Sequence, residues 1–293
     1  MSPVSLVSII VPAFITSGQQ IDLLRETLAT VFGQTCDRFE VILVDDGSPL
    51  PVTAVVEPHP KVTFLRRENG GSALARNAGI AVSRGEYLLF LDADDHLLPV
   101  AIETGLERFA QHPECGFIVG PHEEMTFEGE PVGWTVVPPP AESQVYESLL
   151  AFDWYIIPPS SAMFRRSLVG RIGGFRDPWG ADDLDFYLRA ARASSACCYQ
   201  SPAVTRYRRY STSSSRNGER MLHSIRAVYE RQRQFVEGHP RLEAAFDRGL
   251  KRLTDIFIDC LVENVQDRQR AGDWEGATRA VAVLDRERQS GRW

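Results

Sequence analysis

The chain has 293 residues, 43% of them hydrophobic and 24% charged, with a formal net charge of −7. This is the composition of an ordinary globular protein, long enough for one large domain or two smaller ones. Basic residues form no long run, so composition excludes the electrostatic footprint of a nucleic-acid binder or of a protein that coats anionic membranes.

The opening stretch, VSLVSIIVPAF, is apolar but has no basic segment before it, is too short to span a bilayer and contains Pro12. It reads as a first core strand and not as a signal peptide. No segment reaches 18 apolar residues, so cytoplasmic residence is the default, with peripheral membrane attachment as an option. A helix is expected from about Ser17 to Phe32, with Ser17 and Gln20 spaced as a capping box and Ile21, Leu24, Leu28, Val31 and Phe32 on one face. Then follow the strands FEVILVDD and VTFLRR, the helical SALARNAGIAVS, the strand EYLLFLDADD, the helical LLPVAIETGLERFAQH and the strand CGFIVG. Near-continuous apolar strands that alternate with helices predict an α/β fold, a mostly parallel sheet flanked by helices. Beyond about residue 218 the pattern is helical. Leu242, Phe246, Leu250, Leu253, Ile256 and Leu261 recur at helical spacing, which predicts a C-terminal helical extension that docks on the core or forms a homo-oligomer.

Ligands of such sheets bind at the carboxyl ends of the strands. Three segments are expected there: Pro12 to Phe14, Asp45 with Asp46, and Asp92 to Asp95. Carboxylates as close as Asp92, Asp94 and Asp95 raise one another's pKa unless a cation compensates. Two chemistries fit them, a divalent metal that carries a phosphorylated ligand or an aspartyl nucleophile with its acid neighbour. In the first, Phe14 stacks on a base, Asp46 accepts from the base or a ribose hydroxyl, and Asp92 with Asp94 holds the cation. The second is the chemistry of a haloacid-dehalogenase-like phosphatase. Only Lys61 and Lys251 are lysine, so no lysine stands between Asp95 and Asp182 to serve it. The five cysteines, Cys36, Cys115, Cys197, Cys198 and Cys260, lack zinc-ligand spacing and read as reduced thiols.

In order and at their separations, SIIVPAF, VILVDDGS, ENGGSALARNAGI, GEYLLFLDADD, SSAMFRRSLVGRIGGF and GADDLDFYLRAA resemble glycosyltransferase family 2, the inverting sugar-nucleotide transferases of GT-A fold, over about residues 5 to 215. The resemblance implies a GT-A domain over 1–218, with a nucleotide-sugar half to about 100 and an acceptor half from about 101, followed by the helical extension 219–293. It implies a nucleotide-sugar donor, most often UDP-linked, held by Pro12, Phe14, Asp46, Asn69, Arg76 and Asp92, and a hydroxyl acceptor on a glycan. It further implies Mn²⁺ or Mg²⁺ on Asp92 and Asp94 with Asp95 beside them, and Asp183 as the base, Asp182 standing where the family usually has glutamate. A catalytically silent nucleotide-binding relative is the alternative within the same fold.

Two departures stand out. Ile15 replaces a common asparagine, and Tyr210 in RYRRYSTSSS stands where the family often has histidine. A phenol with a pKa of about 10 is a poor metal ligand, so Tyr210 is expected not to ligate. Arg208, Arg209 and Ser213 are expected near the diphosphate, and Trp154, Tyr155 and Trp179 near the acceptor, where rings can stack on sugars.

Overall fold

The computed structural model describes residues 5–54, 59–132, 139–176, 180–210 and 216–289. Trp179 and Ser213 lie outside the described residues. Strand β1 (Val7–Ala13) leads into helix α1 (Gly18–Phe32), which is followed by β2 (Phe39–Asp45), β3 (Val62–Arg66), α2 (Ser72–Val82), β4 (Tyr87–Phe90) and the short β5 (His96–Leu97). Next come α3 (Ala101–Gln111), β6 (Phe117–Val119), β7 (His122–Met125), β8 (Pro131–Val132), α4 (Val145–Leu150), β9 (Ala162–Arg165) and α5 (Arg166–Ile172). The chain continues through α6 (Asp182–Ala193), β10 (Ala196–Cys198), β11 (Thr205–Arg208), α7 (Gly218–Val236), α8 (Pro240–Arg270) and α9 (Trp274–Gln289).

Seven strands make the main sheet in the order β10-β6-β9-β4-β1-β2-β3. Every pairing is parallel except those of β9, which runs antiparallel to both β4 and β6. The mostly parallel α/β architecture is therefore as expected. The strands β1, β2 and β4 are buried almost throughout, because helices cover both faces. The capping expectation at α1 holds for Ser17, whose hydroxyl accepts from Gln20 N–H at 3.3 Å. Gln20 Oε1 answers through Thr16 N–H at 2.7 Å, one residue earlier than a capping box would have it. Phe32 departs from the expected face and is 39% exposed.

A second sheet has the order β5-β11-β7-β8, and its strand β5 follows the Asp92–Asp95 turn that ends β4. Its antiparallel β5–β11 pair brings Arg208 and Tyr210 against the Asp92–Asp95 turn.

The C-terminal helices share the core of the main sheet. Ile225, Val228 and Tyr229 of α7 and Ala245, Phe246 and Leu253 of α8 belong to one apolar cluster with Phe90, Phe164 and Phe186. Gly249 lets α8 approach α4 so closely that a Cβ there would strike Leu150 O, and Tyr229 Oη donates to the same carbonyl at 2.7 Å. The helical faces expected to pack on something are thus used within the chain, although Ile256 remains 44% exposed. Helix α9 joins a separate cluster with Leu222, Ile258, Leu261 and Val265.

Candidate active site

The β1 end presents Pro12 half-buried and Phe14 46% exposed, a ring open to a stacking partner. Ile15 turns inward to 2% exposure, its N–H donating to Ser48 Oγ at 2.8 Å. The departure at Ile15 is therefore absorbed by the core.

At the β2 end, two acids face two arginines of β3 and the residue after it. Asp45 accepts from Arg66 at 2.5 Å, and Asp46 from Arg67. Asp46 is 3% exposed and also accepts from Gly70 N–H at 3.1 Å and Gly71 N–H at 2.8 Å, while Asn69 Nδ2 donates to its carbonyl at 3.0 Å. Through these bonds Asp46, expected at the nucleotide, also shapes the loop 67–71. Gly47 in this turn has a φ of +78°, where a side chain would be strained and would meet Asn69 N. Arg67 was missed by the sequence reading, although paired charges at the ends of neighbouring strands were its signal.

Arg76, on α2, is buried and reaches both ends of the site. One arm donates to Asp92 Oδ1 and another to Asp182 Oδ2, each at 2.7 Å. The two carboxylates fix it as a cation: burial alone would lower its pKa, but Asp92 and Asp182 hold it above the ordinary value.

The three acids of the turn have three different surroundings. Asp92 is a third exposed and faces Arg76. Asp94 accepts from Tyr210 Oη at 2.5 Å; burial and Asp92 raise its pKa, while the Tyr210 hydrogen bond opposes the rise. Asp95 is 1% exposed, with Oδ1 accepting Arg208 N–H at 2.9 Å. Asp95, expected beside the metal ligands, is an inward acid that ties the turn to β11. Its Oδ2 is buried without a hydrogen-bond partner, and burial with Asp94 and Asp92 lifts its pKa well above the ordinary range. The turn is short of positive charge, and its donors are hard carboxylate oxygens, so it fits a divalent cation of the Mg²⁺ or Mn²⁺ class on Asp92 and Asp94.

Arg208, expected near the diphosphate, is turned inward behind the Asp92–Asp95 turn. Its side chain is 1% exposed and donates to Asp94 O at 2.8 Å, to Phe127 O and to Glu26 Oε2 at 2.8 Å, with His96 Nε2 at 3.0 Å. It braces the turn from behind. Arg209 points outward, 63% exposed, and pairs with Glu124. Glu26 and His96 escaped the sequence reading because nothing local in α1 or β5 marks them.

Asp182 and Asp183 open α6, whose first turn also holds Asp185. Burial pushes Asp182 up to about 7, Arg76 opposing and Asp183 adding to the rise. Asp183 is half-buried, accepts Leu184 N–H at 2.7 Å, and is likewise raised, chiefly by burial. Tyr187, one turn on, has a buried hydroxyl without a hydrogen-bond partner, and after burial Asp183 is what most raises its pKa. Trp154 is core at 6% exposure, whereas Tyr155 is 38% exposed and stacks on Phe152. Of the expected acceptor rings, only Tyr155 is seen to be open.

The pattern described as Glycosyl transferase family 2 matches residues 8–173, which span β1 through α5. The chain belongs to glycosyltransferase family 2. An uncharacterized glycosyltransferase of Haemophilus influenzae is 30% identical to it over 273 residues, covering 86% of this chain and 90% of the relative. The putative teichuronic acid biosynthesis glycosyltransferase TuaG of Bacillus subtilis is 29% identical over 172 residues, 57% of this chain and 65% of TuaG. In fold the glycosyltransferase is similar to the crystal structure of S. aureus TarS 1–349 in complex with UDP-GlcNAc, with a TM-score of 0.65 at 14% identity, covering 98% of this chain and 93% of TarS 1–349. That likeness extends through the C-terminal helices. Among the described residues, no helix is long and apolar enough to cross a membrane.

Proposed function

We propose that this glycosyltransferase moves a sugar from a UDP-linked donor to a hydroxyl of a glycan acceptor, with inversion at the anomeric carbon and with Mn²⁺ or Mg²⁺ bound. The observation that carries this reading is the Asp92–Arg76–Asp182 bridge, which brings the acidic turn of β4 and the acidic start of α6 to one place. TarS, similar in fold, is described with UDP-GlcNAc bound, and TuaG by a putative role in teichuronic acid biosynthesis. Both favour a UDP-sugar and a polysaccharide product.

In this reading Phe14 stacks on the base, the loop that Asp46, Asn69 and Arg67 shape closes over the nucleoside, and Asp92 with Asp94 holds the cation. The cation, when bound, stabilises the negative charge that develops on the leaving diphosphate. Asp183 takes the proton of the acceptor hydroxyl as its oxygen bonds to C1, while the C1–O bond to phosphate breaks and its electron pair leaves with UDP. Asp182, held by Arg76, keeps α6 in register with the donor side. The start of a helix favours ionised carboxylates, which helps Asp183 act as a base despite its burial.

The test is release of UDP from a panel of UDP-sugars, with and without Mn²⁺, monitored alongside thermal stability. Metal-dependent turnover and a stabilising shift by one UDP-sugar are expected. Absence of both for every UDP-sugar would overturn the reading in favour of another nucleotide or a silent relative.

A further inference from the structure

A second group of metal-ligating side chains lies at the opposite end of the main sheet from the Asp92–Asp95 turn. His112, Glu114 and Cys115 occupy the turn between α3 and β6, and Glu142 reaches them from the short turn that leads into α4. One ligand atom from each of the four lies within 4.8 Å of all the others. Strands β4 and β6 are both antiparallel to β9, so they run in the same direction. Cys115 precedes β6 whereas the acidic turn follows β4, which sets this group at the amino ends of the strands, away from the donor cleft.

The separations suit coordination. Glu114 Oε1 lies 3.4 Å from His112 Nδ1 and 3.6 Å from Cys115 Sγ. Tetrahedral Zn²⁺, with bonds of about 2.0 Å to nitrogen and oxygen and about 2.3 Å to sulfur, needs ligand-to-ligand edges of about 3.3 and 3.5 Å. Cys115 is wholly buried and forms the floor, while Glu114 and Glu142 are exposed and free to rotate onto an ion. Backbone bonds hold the floor in place: Cys115 N–H donates to His112 O at 3.1 Å, and Cys115 O accepts from Arg165 Nε at 2.8 Å. An ion pair of His112 with Glu114 would use only two of these groups. A buried sulfur and a carboxylate from a segment beyond β8 converge on the same point. The spacing of the cysteines could not show this set, because Cys115 is its sole cysteine.

We propose that His112, Glu114, Cys115 and Glu142 bind Zn²⁺ at a structural site that clamps the turn after α3 to the segment entering α4. Imidazole, thiolate and carboxylate are zinc donors, whereas Asp92 and Asp94 offer the hard oxygens that suit Mg²⁺ or Mn²⁺. On binding, the Cys115 thiol gives its proton to water and the Zn–S bond forms in its place. Four protein ligands fill the tetrahedron and leave no position for a reacting water, so the ion holds the fold and takes no part in transfer.

The protein, stripped of metal by a chelator, is titrated with Co²⁺, whose bond to a thiolate gives a charge-transfer band in the near ultraviolet that carboxylate sites lack. Wild type and Asp94→Ala are expected to show the same band, and Zn²⁺ but not Mg²⁺ is expected to displace the cobalt. Cys115→Ser should abolish the band, and Cys260→Ser, on α8, should leave it unchanged. His112→Ala and Glu142→Ala should each weaken zinc affinity, measured against a chromophoric chelator, by at least about tenfold, since loss of even an outer partner costs that much. Glu142 is exposed, so its variant tests the site even where Cys115→Ser fails to fold; circular dichroism checks each variant. The proposal fails if no cobalt band forms, if the band survives in Cys115→Ser, if Asp94→Ala or Cys260→Ser removes it, or if Glu142→Ala binds zinc as tightly as wild type.

Discussion

Arg76 and Asp182 form a buried ion pair at 2.7 Å across 106 residues of sequence, and the second arm of the same guanidinium holds Asp92 at 2.7 Å. Because Arg76 is nearly inaccessible, the bridge is not a surface ornament of small worth. Removing its centre leaves carboxylates facing each other without a counter-ion. Arg76→Ala is expected to cost about 3 to 5 kcal/mol of stability, the usual penalty for orphaning a buried charge. Urea unfolding measures it; Asp182→Ala in the Arg76→Ala background should then cost much less than it does alone. Additive costs in that cycle would mean that the pair is not coupled.

Asp183→Asn is expected to keep UDP affinity and lose transfer by about two to four orders of magnitude, the span of general-base catalysis. UDP calorimetry and single-turnover kinetics separate the two quantities. Near-native turnover would assign the base elsewhere.

Tyr210 does not need to ligate a metal to matter, since its hydroxyl holds Asp94 at 2.5 Å. Asp94→Ala is expected to remove the Mn²⁺ dependence of UDP binding. Tyr210→Phe should weaken Mn²⁺ affinity in the UDP complex by about 10- to 100-fold, as loss of a hydrogen bond to a metal ligand commonly does. Water-proton relaxation reports the affinity; an unchanged value in the phenylalanine variant would show that the hydrogen bond does not orient the ligand.

Arg208 and Arg209 are neighbours with opposite fates. Arg208→Ala removes a buried cation from Asp94 O, Glu26 and His96 and is expected to destabilise by about 3 kcal/mol or more, with UDP binding lost as the turn loosens. Arg209→Ala breaks an exposed pair with Glu124 and should cost less than about 1 kcal/mol. Equal effects on thermal unfolding would contradict this assignment.

The pH dependence of stability and of transfer should oppose each other. Asp182 has its pKa pushed from 3.8 in the free side chain to about 7 in the fold, so the folded state holds that proton more tightly than the unfolded one. Its contribution to stability is complete below about pH 4 and is lost as pH rises through about 7. Asp183, also raised by burial, must be ionised to act as base, so transfer should fall on acidification through the range in which this pair titrates. Thermal unfolding of wild type and Asp182→Asn between pH 5 and 8 checks the first part. Parallel curves would exclude Asp182 as the titrating group.

What could be read from the sequence was whatever repeats locally. The apolar runs around Ile9, Leu43 and Leu89 announced parallel strands, and the acids at their ends announced a ligand, because a buried strand gives its charges nowhere else to go. Contacts set by tertiary pairing were hidden. Arg208 was expected near the diphosphate; the four-residue β11 and two-residue β5, too short to show a period, turn it inward. The same pairing turned Asp95 away from the cleft. The reversed strand β9 carries no local mark of its direction, since alternation of side chains is the same either way. The C-terminal helices showed an apolar face but not its partner, α4, which a glycine at 249 lets approach.

The shared core limits how this enzyme can be recombined with its relatives. A chimera joined near residue 218 would part Tyr229 and Phe246 from Phe90 and Phe164 and match two half-cores that never packed together. Helix α9, whose contacts form their own cluster with the far end of α8, is a better exchange point. A graft made in the turn at Gly272, where φ is +76°, transfers an end piece while leaving the core that α7 and α8 share with Phe90 and Phe164 in the hands of the parent that built it.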